Sequence, residues 1–309
     1  MVIVNYEAGR LANRLFHFSH FIVNSVANDY TLVYPYFDEF EQYFDTTDED
    51  VFPVGSIQLK FSKNKLLHTF IKKTIAVNAK VVFKISRGDH FLFFHRFYDY
   101  RQQRDAFFDL NEAKFLNQSK KSVIIVEGWR YRDKINFTPF NKNLLRKIFT
   151  PKKIFLEKVK LNLENYFKIN LSEKKNILIG VHVRRTDYAS FENGKWFYSH
   201  KIYAEKMHQL KQFFLNQPAE KSKKCIFWLC SDEPIAIENF KNFDILFDTK
   251  PHFITDLYTL AQCDYIIGPP STYSMWASFY GEVPLLKIFS ETEVMNLEKF
   301  EVVDPALEP

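Results

Sequence analysis

Two adjacent arginines, Arg184 and Arg185, are the residues whose types and spacing most clearly indicate chemistry. They follow an apolar run, residues 179–183, that is interrupted only by His182, and Asp187 lies two positions further on. Arginine binds phosphate through paired hydrogen bonds, and neighbouring arginines at a strand end can point to opposite sides, towards a phosphate and a carboxylate. Without a ligand, the same residues would form a salt-bridged strand end beside a hydrogen-bonded histidine, and residue chemistry alone leaves both interpretations open.

A second polar group lies near the C-terminus, where Ser271, Thr272 and Ser274 stand at the predicted start of a helix. Their hydroxyls could cap the helix and could also bind a phosphate or a ribose. Asp256 stands at another predicted helix start, where its carboxylate could accept two hydrogen bonds from a guanine edge or simply favour the helix dipole. Spacing alone does not separate capping from ligand binding.

The elements that must position these residues alternate in type through the second half of the chain. Predicted strands are followed by predicted helices, which indicates a parallel sheet with helices on both faces. The strands are predicted at 177–183, 226–230, 245–247, 265–268 and 285–288. Ligands of such sheets bind beyond the carboxyl ends of the strands, so we expect Arg184, Asp232 and Ser271 to lie at one edge.

The N-terminus predicts a strand, a turn and a helix. Residues 2–6 read as a short buried strand, and Gly9 precedes a run with apolar residues at helical spacing. Those residues are Leu11, Leu15, Phe18 and Ile22. From residue 38 to residue 104 the periodicity blurs, and only loops and helices are predicted there.

Residues 182–187 resemble the HxRRxD motif of fucosyltransferases that use GDP-fucose, and the tyrosine that follows is as in the α-1,2-fucosyltransferases of glycosyltransferase family 11. Residues 9–16 resemble the GxLGNQLF segment of that family, and residues 256–274 resemble its DLYLM, cysteine and STFSWW pattern. The departures are Ala12 and Arg14 for the usual glycine and glutamine, and Met275 and Ser278 after the serine motif.

This resemblance implies an α/β fold of the GT-B type, with two Rossmann-like domains facing a cleft. The expected domains are an acceptor-side domain over residues 1–165 and a GDP-sugar-binding domain over residues 166–309. The activity implied is inverting transfer of fucose from GDP-fucose to a glycan hydroxyl in α-1,2 linkage, and another GDP-sugar or another linkage is the alternative. The donor-binding residues implied are His182, Arg184, Arg185, Gly9, Arg10, Asn13, Asp256, Ser271, Thr272 and Ser274.

Inverting transfer needs a general base for the acceptor hydroxyl, and two carboxylates are candidates. Asp187 belongs to the arginine motif, but pairing with an arginine weakens a carboxylate as a base. Glu192 lies five residues later, like the carboxylate thought to act as base in core fucosyltransferases, and its simpler interpretation is a solvated loop residue. We expect Glu192 to be the base, with Asp187 and Arg184 beside it.

No metal or other cofactor is expected, because the arginines can neutralise the departing diphosphate. The triplet Asp48-Glu49-Asp50 matches the Asp-x-Asp motif through which many transferases bind a divalent ion. It lies in an acidic run, residues 38–50, that is typical of a solvated loop. The chain contains no GxGxxG, GxxxxGK[ST] or GxSxG sequence, which argues against dinucleotide, P-loop and serine hydrolase chemistry.

Composition indicates a globular protein, since 46% of the 309 residues are hydrophobic and only 8 are glycine. Three cysteines without a CxxC pair fit reduced thiols in a cytoplasmic protein. Residues 60–104 carry 11 Lys and Arg against two Asp. This basic segment could hold the enzyme against an anionic inner membrane that presents a lipid-linked glycan. A nucleic-acid-binding protein is the non-enzymatic alternative, but no RNA-binding signature accompanies the segment, so no nucleic acid partner is expected.

Overall fold

The computed structural model describes residues 1–45, 56–86, 107–170, 176–216 and 223–307. The triplet at 48–50 and residues 87–104 of the basic segment lie outside these ranges. None of the helices found within the ranges has the length and apolar character that crossing a bilayer requires.

The chain forms two compact units, Met1–Lys152 with the segment from Pro305, and Lys153–Asp304. The division therefore falls before the residue 165 expected from the sequence. The reason is the helix that begins at Lys153, which packs within the second unit. Its Phe155 ring stacks on His252 at 5.4 Å, and Asn162 Nδ2 donates to Thr259 Oγ1 at 3.4 Å.

The first unit contains a four-stranded parallel sheet and a separate two-stranded pair. Its strands and helices are β1 (Val2–Val4), α1 (Leu11–Asn28), β2 (Leu32–Val33), β3 (Ile57–Gln58), α2 (Lys65–Ser86), β4 (Phe108–Asp109), α3 (Ala113–Lys121), β5 (Ile124–Val126), β6 (Tyr131–Arg132) and α4 (Pro139–Ile148). The sheet order is β3-β2-β1-β5, and β4 pairs with β6. Strand order reverses at β1, which has β2 on one side and β5 on the other.

Helix α1 follows β1 through a turn at Gly9, whose φ of 68° lies in the left-handed region that favours glycine. The four apolar residues predicted to form its inner face are all buried. Arg14, which stands where the segment that residues 9–16 resemble has a glutamine, is also buried, and its Nε donates to the Gly9 carbonyl at 2.8 Å. Its Nη2 pairs with Glu39 at 2.8 Å and with Glu7 at 3.2 Å. This substitution therefore fixes the turn from within the unit.

The second unit is a five-stranded parallel sheet in the order β11-β10-β7-β8-β9. Its elements are α5 (Lys153–Asn170), β7 (Asn176–Val183), α6 (His200–Asn216), β8 (Lys224–Ser231), β9 (Asp244–Leu246), α7 (Phe253–Leu260), β10 (Tyr265–Gly268), α8 (Thr272–Gly281) and β11 (Leu285–Lys287). Strand β7 is buried at every position and pairs with β8 on one edge and with β10 on the other. The chain runs from β7 to β8 and β9 on one side and then crosses to β10 on the other. The switch in strand order therefore lies between β7 and β10.

The three cysteines, Cys225, Cys230 and Cys263, are buried in the second unit, and none forms a disulfide. Burial raises the pKa values of the Cys230 and Cys263 thiols well above their ordinary range.

Gly281, the last residue of α8, permits the close approach of α8 to α7. A Cβ atom at this position would lie 2.0 Å from the Ala261 carbonyl oxygen. We expect Gly281→Ala to lower the free energy of unfolding by about 2 kcal/mol, because the two helices must separate. Urea denaturation checks this. Helix propensity alone predicts the opposite sign, so a stabilised Gly281→Ala variant would show that the helices do not approach this closely.

Candidate functional site

The predicted site residues of the second unit meet at the carboxyl edge of its sheet. Arg184 directly follows β7, Asp232 directly follows β8, and Pro270 lies in the loop after β10. The Tyr188 hydroxyl donates to the Pro270 carbonyl oxygen and so joins the loop after β7 to the loop after β10. These loops meet where strand order reverses, which is where open parallel sheets bind ligands.

Arg184 is held between two carboxylates at this switch point. Its Nη2 lies 2.6 Å from Asp187 Oδ1, and its Nη1 lies 2.7 Å from Asp232 Oδ2. Its guanidinium also lies 5.5 Å from the centroid of the Tyr188 ring. Asp187 is half-exposed whereas Asp232 is largely buried, so solvent reaches this ion-paired group from the Asp187 side.

The guanidinium of Arg185 contacts a different set of protein groups from that of Arg184. Its Nε donates to Glu233, its Nη1 donates to the Tyr198 carbonyl oxygen at 2.7 Å, and its guanidinium lies 4.4 Å from the Phe197 ring centroid. The structure thus pairs both arginines with carboxylates. The contacts of Arg185 secure the loop, and those of Arg184 place it at the switch point.

Asp232 is the residue that organises the loop after β7, although the sequence marked it only by its position after a strand. It accepts hydrogen bonds from the Arg185 N–H at 2.9 Å and from both the N–H and the hydroxyl of Thr186. Burial acts to raise its pKa, but these hydrogen bonds and the charge of Arg184 together hold the pKa below its ordinary value. Asp232 is therefore a charged anchor for the arginine motif.

His182 lies near the end of β7 with its ring 4.9 Å from the ring of Tyr273, in α8. Burial, followed by the charge of Arg184, lowers its pKa to about 3. The imidazole is therefore neutral at physiological pH. Its Nδ1 atom is buried and has no hydrogen-bond partner among the described residues.

Asp256 is a buried carboxyl group in the first turn of α7. Burial, reinforced by the charge of Asp248 and opposed by Lys158, raises its pKa to about 7. Its charge also acts on Cys230 and Tyr273, which places it near the end of β8 and the start of α8. Asp256 Oδ1 is buried with no hydrogen-bond partner in the described part of the chain, so it is free to accept a hydrogen bond from a donor that enters the site.

Two of the hydroxyls at the start of α8 bond to the backbone of its first turn, and that of Ser271 caps the helix. Ser271 Oγ accepts from the Tyr273 N–H at 3.3 Å, and Ser274 Oγ donates to the Ser271 carbonyl oxygen at 3.1 Å. Thr272 is the half-buried first residue of the helix. Capping therefore accounts for Ser271, and a bond within the first turn accounts for Ser274. Neither bond prevents the hydroxyls from also accepting from a ligand.

The two candidate bases lie on the loop after β7. Glu192 is exposed, and its φ of 48° is followed by φ angles of 58° at Asn193 and 76° at Gly194. Such left-handed conformations cost about 1 kcal/mol or more at residues other than glycine. The loop therefore holds Glu192 in a strained backbone conformation, a feature that is common at functional sites.

The remaining predicted donor-binding residues belong to the first unit. Gly9 forms the turn before α1, Arg10 is the exposed N-cap residue of α1, and Asn13 is half-buried in its first turn. In the described residues no group of three or more His, Cys, Asp and Glu side chains could hold a metal ion.

No protein-family model and no curated protein matches the chain by sequence. Solved structures do match it. One is a mutant of Arabidopsis thaliana FUT1 in complex with GDP. The match covers 97% of this chain and 73% of the FUT1 chain, with a TM-score of 0.60 and 15% sequence identity. The fucosyltransferase NodZ from Bradyrhizobium matches with a TM-score of 0.51, 14% identity and coverages of 97% and 96%.

POFUT1 in complex with GDP-fucose matches with a TM-score of 0.50, 14% identity and coverages of 94% and 96%. The chain has the GT-B fold of these fucosyltransferases. The predicted fold class is confirmed. At identities this low, the likeness establishes the fold alone.

Proposed function

We propose that this chain is an inverting glycosyltransferase that moves fucose from GDP-fucose to a glycan hydroxyl. The observation that supports this most directly is the position of Arg184, which is held by Asp187 and Asp232 at the switch point between β7 and β10. The fold shared with fucosyltransferases, one of them solved with GDP-fucose, is the second support.

In this proposal Arg184 binds the diphosphate and stabilises the charge that develops on it as the bond to fucose breaks. Arg185 positions the motif through Glu233, and the neutral His182 lies beside Arg184 without adding charge. Asp256 accepts hydrogen bonds from the guanine edge. No metal takes part, because the arginine supplies the positive charge.

Further donor contacts are proposed from Ser271, Thr272 and Ser274 at the start of α8. The resemblance alone supports Gly9, Arg10 and Asn13 in the same role. The linkage we propose is α-1,2. NodZ is an α-1,6-fucosyltransferase, so the shared fold is compatible with other linkages. Transfer from another GDP-sugar is the alternative within the same site.

We further propose that the reaction takes place in the cytoplasm, on a glycan or lipid-linked glycan. Contact of the basic segment, residues 60–104, with the inner membrane surface is part of this proposal. The segment would bring the enzyme to an acceptor that is itself anchored in lipid.

A thermal-shift panel tests the donor. We expect GDP and GDP-fucose to raise the melting temperature without added metal, and UDP and UDP-sugars to leave it unchanged, because only ligands of the folded state stabilise it. A larger rise with GDP-mannose than with GDP-fucose would favour the alternative donor. No rise with any nucleotide, together with salt-sensitive RNA binding, would favour the non-enzymatic alternative.

The base is tested by two matched amide substitutions on one loop. We expect Glu192→Gln to lower kcat by about 10²-fold or more, because the acceptor hydroxyl then loses its proton acceptor. Asp187→Asn should lower kcat less, since Asp187 is paired with Arg184 at 2.6 Å. Turnover is measured with GDP-fucose and a glycan acceptor over a range of pH. Near-normal turnover in Glu192→Gln, with activity abolished in a folded Asp187→Asn variant, would assign the base to Asp187.

A further inference from the structure

Helix α2 has an inner face that is anchored to the first unit. His68 is buried, and its Nδ1 accepts from the Phe61 N–H at 3.2 Å while its Nε2 lies 3.1 Å from Asp38 Oδ2. One turn later Lys72 Nζ lies 3.0 Å from the same Asp38 carboxylate. Ile75 then packs against an apolar cluster of the sheet. These contacts fix the rotation of the helix about its axis.

The opposite face of α2 exposes large apolar side chains. Leu66 is 82% exposed, Phe70 is 67% exposed and Val77 is 60% exposed. At about 100° per residue these three side chains fall within roughly 40° of one another, and Ile75 lies about 180° from Leu66. A surface helix normally presents polar residues on its outer face, so large apolar side chains exposed together there indicate a docking surface.

The charge of α2 identifies what the outer face fits. Residues 65–86 include five lysines and no acidic residue. Lys63 and Lys65 are exposed at the start of the helix, and the exposed Lys73 lies on the same face as Phe70 and Val77. Apolar side chains that insert among acyl chains, bordered by lysines that meet phosphate headgroups, are the two attractions that hold an amphipathic helix on an anionic bilayer.

We propose that the outer face of α2, formed by Leu66, Leu67, Phe70, Lys73 and Val77, docks the protein on an anionic lipid surface. The helix lies along the membrane–water interface, and its inner face stays packed on the sheet. Lys73 extends its charged end to the headgroups while its stem lies among the apolar side chains. The inference narrows the proposed membrane contact to one face of one helix, and it does not depend on the identity of the sugar donor.

Co-sedimentation with vesicles tests this surface. The purified full chain is mixed with vesicles of phosphatidylcholine alone or of phosphatidylcholine with phosphatidylglycerol. We expect binding to the anionic vesicles, little binding to the neutral ones, and a decrease in binding as salt screens the lysines. Absence of binding to the anionic vesicles at low salt would overturn the proposal.

A matched pair of variants tests the face itself. Leu66→Glu/Phe70→Glu should lower vesicle partitioning by at least about tenfold, because both side chains would otherwise be buried in the bilayer. Leu161→Glu is the control, since Leu161 is 62% exposed on α5, which carries both acidic and basic residues. Equal loss in both variants would overturn the assignment to α2.

Two further readouts distinguish the other outcomes. All variants should keep the melting temperature of the unmodified protein and its rise on addition of GDP, since the substituted positions are exposed. If the donor proposal fails, GDP will raise the melting temperature of none of these proteins. Sedimentation velocity without vesicles should show the same species for the unmodified chain and for Leu66→Glu/Phe70→Glu. An oligomer that the double substitution dissociates would show that the face binds a second copy, and would overturn lipid docking.

Discussion

Arg184→Lys is expected to lower kcat by about 10²- to 10³-fold while the melting temperature stays nearly unchanged. A lysine retains the charge and one contact to Asp232 or Asp187, so the loop stays folded. Lysine lacks the planar guanidinium that can donate to two phosphate oxygens at once. Hydrogen-bond donors fixed in place contribute most to the rate where charge develops, which is on the departing diphosphate. Steady-state kinetics with GDP-fucose, together with thermal unfolding, measures both effects.

Arg185→Lys is the matched control for that substitution. The guanidinium of Arg185 contacts Glu233, the Tyr198 carbonyl oxygen and the Phe197 ring, all of which are groups of the protein. We therefore expect its substitution to lower the free energy of unfolding by about 1 kcal/mol and to reduce kcat less than Arg184→Lys does. A greater loss of kcat at Arg185, with unchanged stability, would reverse the assignment of the two arginines.

Asp256→Asn is expected to weaken GDP binding by about 10²-fold at alkaline pH. A charged acceptor that receives two guanine N–H groups would be replaced by an amide that can accept through only one atom. The raised pKa of Asp256, about 7, also predicts that GDP binds the unmodified protein more tightly as pH increases towards and through 7. Calorimetry at several pH values measures this.

The Asp256→Asn variant separates the titration of Asp256 from that of GDP. The terminal phosphate of GDP ionises in the same pH range, but it does so in the experiments with either protein. Identical pH profiles for the two proteins would show that Asp256 does not bind the base. Equal weakening of GDP and UDP in the variant would argue against guanine recognition at this residue.

The same carboxyl group predicts the pH dependence of stability without a ligand. Its ordinary pKa is 3.8 and its pKa in the folded protein is about 7. Between these two pH values the folded state therefore binds one more proton at this carboxyl group than the unfolded state does. The free energy of unfolding therefore decreases as pH rises through this window. We expect Asp256→Asn to be more stable than the unmodified protein above pH 7, by a few kcal/mol, and the difference to vanish near pH 4. Urea denaturation across this range checks the sign.

Much of the second unit was predictable because its strands are short apolar runs with clear ends. The strand predicted at 265–268 is β10 as observed, and those predicted at 177–183 and 226–230 lie within β7 and β8. The alternation predicts a helix between β8 and β9, but the structure has only a 3₁₀ turn there, Ile237–Phe240.

The first unit was less predictable, and α2 shows why. Its apolar residues stand on both the inner and the outer face, so they give no single periodicity of the kind that marks an amphipathic helix. Short strands such as β3 and β4 have two residues each, which is too few for an alternation pattern.

At the site, the sequence located the arginine motif but not the way in which it is held. The role of Asp232 depends on β8 pairing beside β7, and the bond from Tyr188 to Pro270 depends on β10 pairing on the other side. Local sequence patterns predict where strands lie, but they do not predict which strands pair with each other. The raised pKa of Asp256 likewise depends on burial by residues distant in sequence.

The burial of all three cysteines makes this chain convenient for site-specific labelling. Cys225, Cys230 and Cys263 are inaccessible in the folded protein, so a maleimide dye added under native conditions has no native target. A cysteine introduced at the exposed Lys195, on the loop that carries Glu192, would be the reactive thiol. A fluorophore attached there would report any rearrangement of this loop when GDP-fucose is added, with every native cysteine left in place.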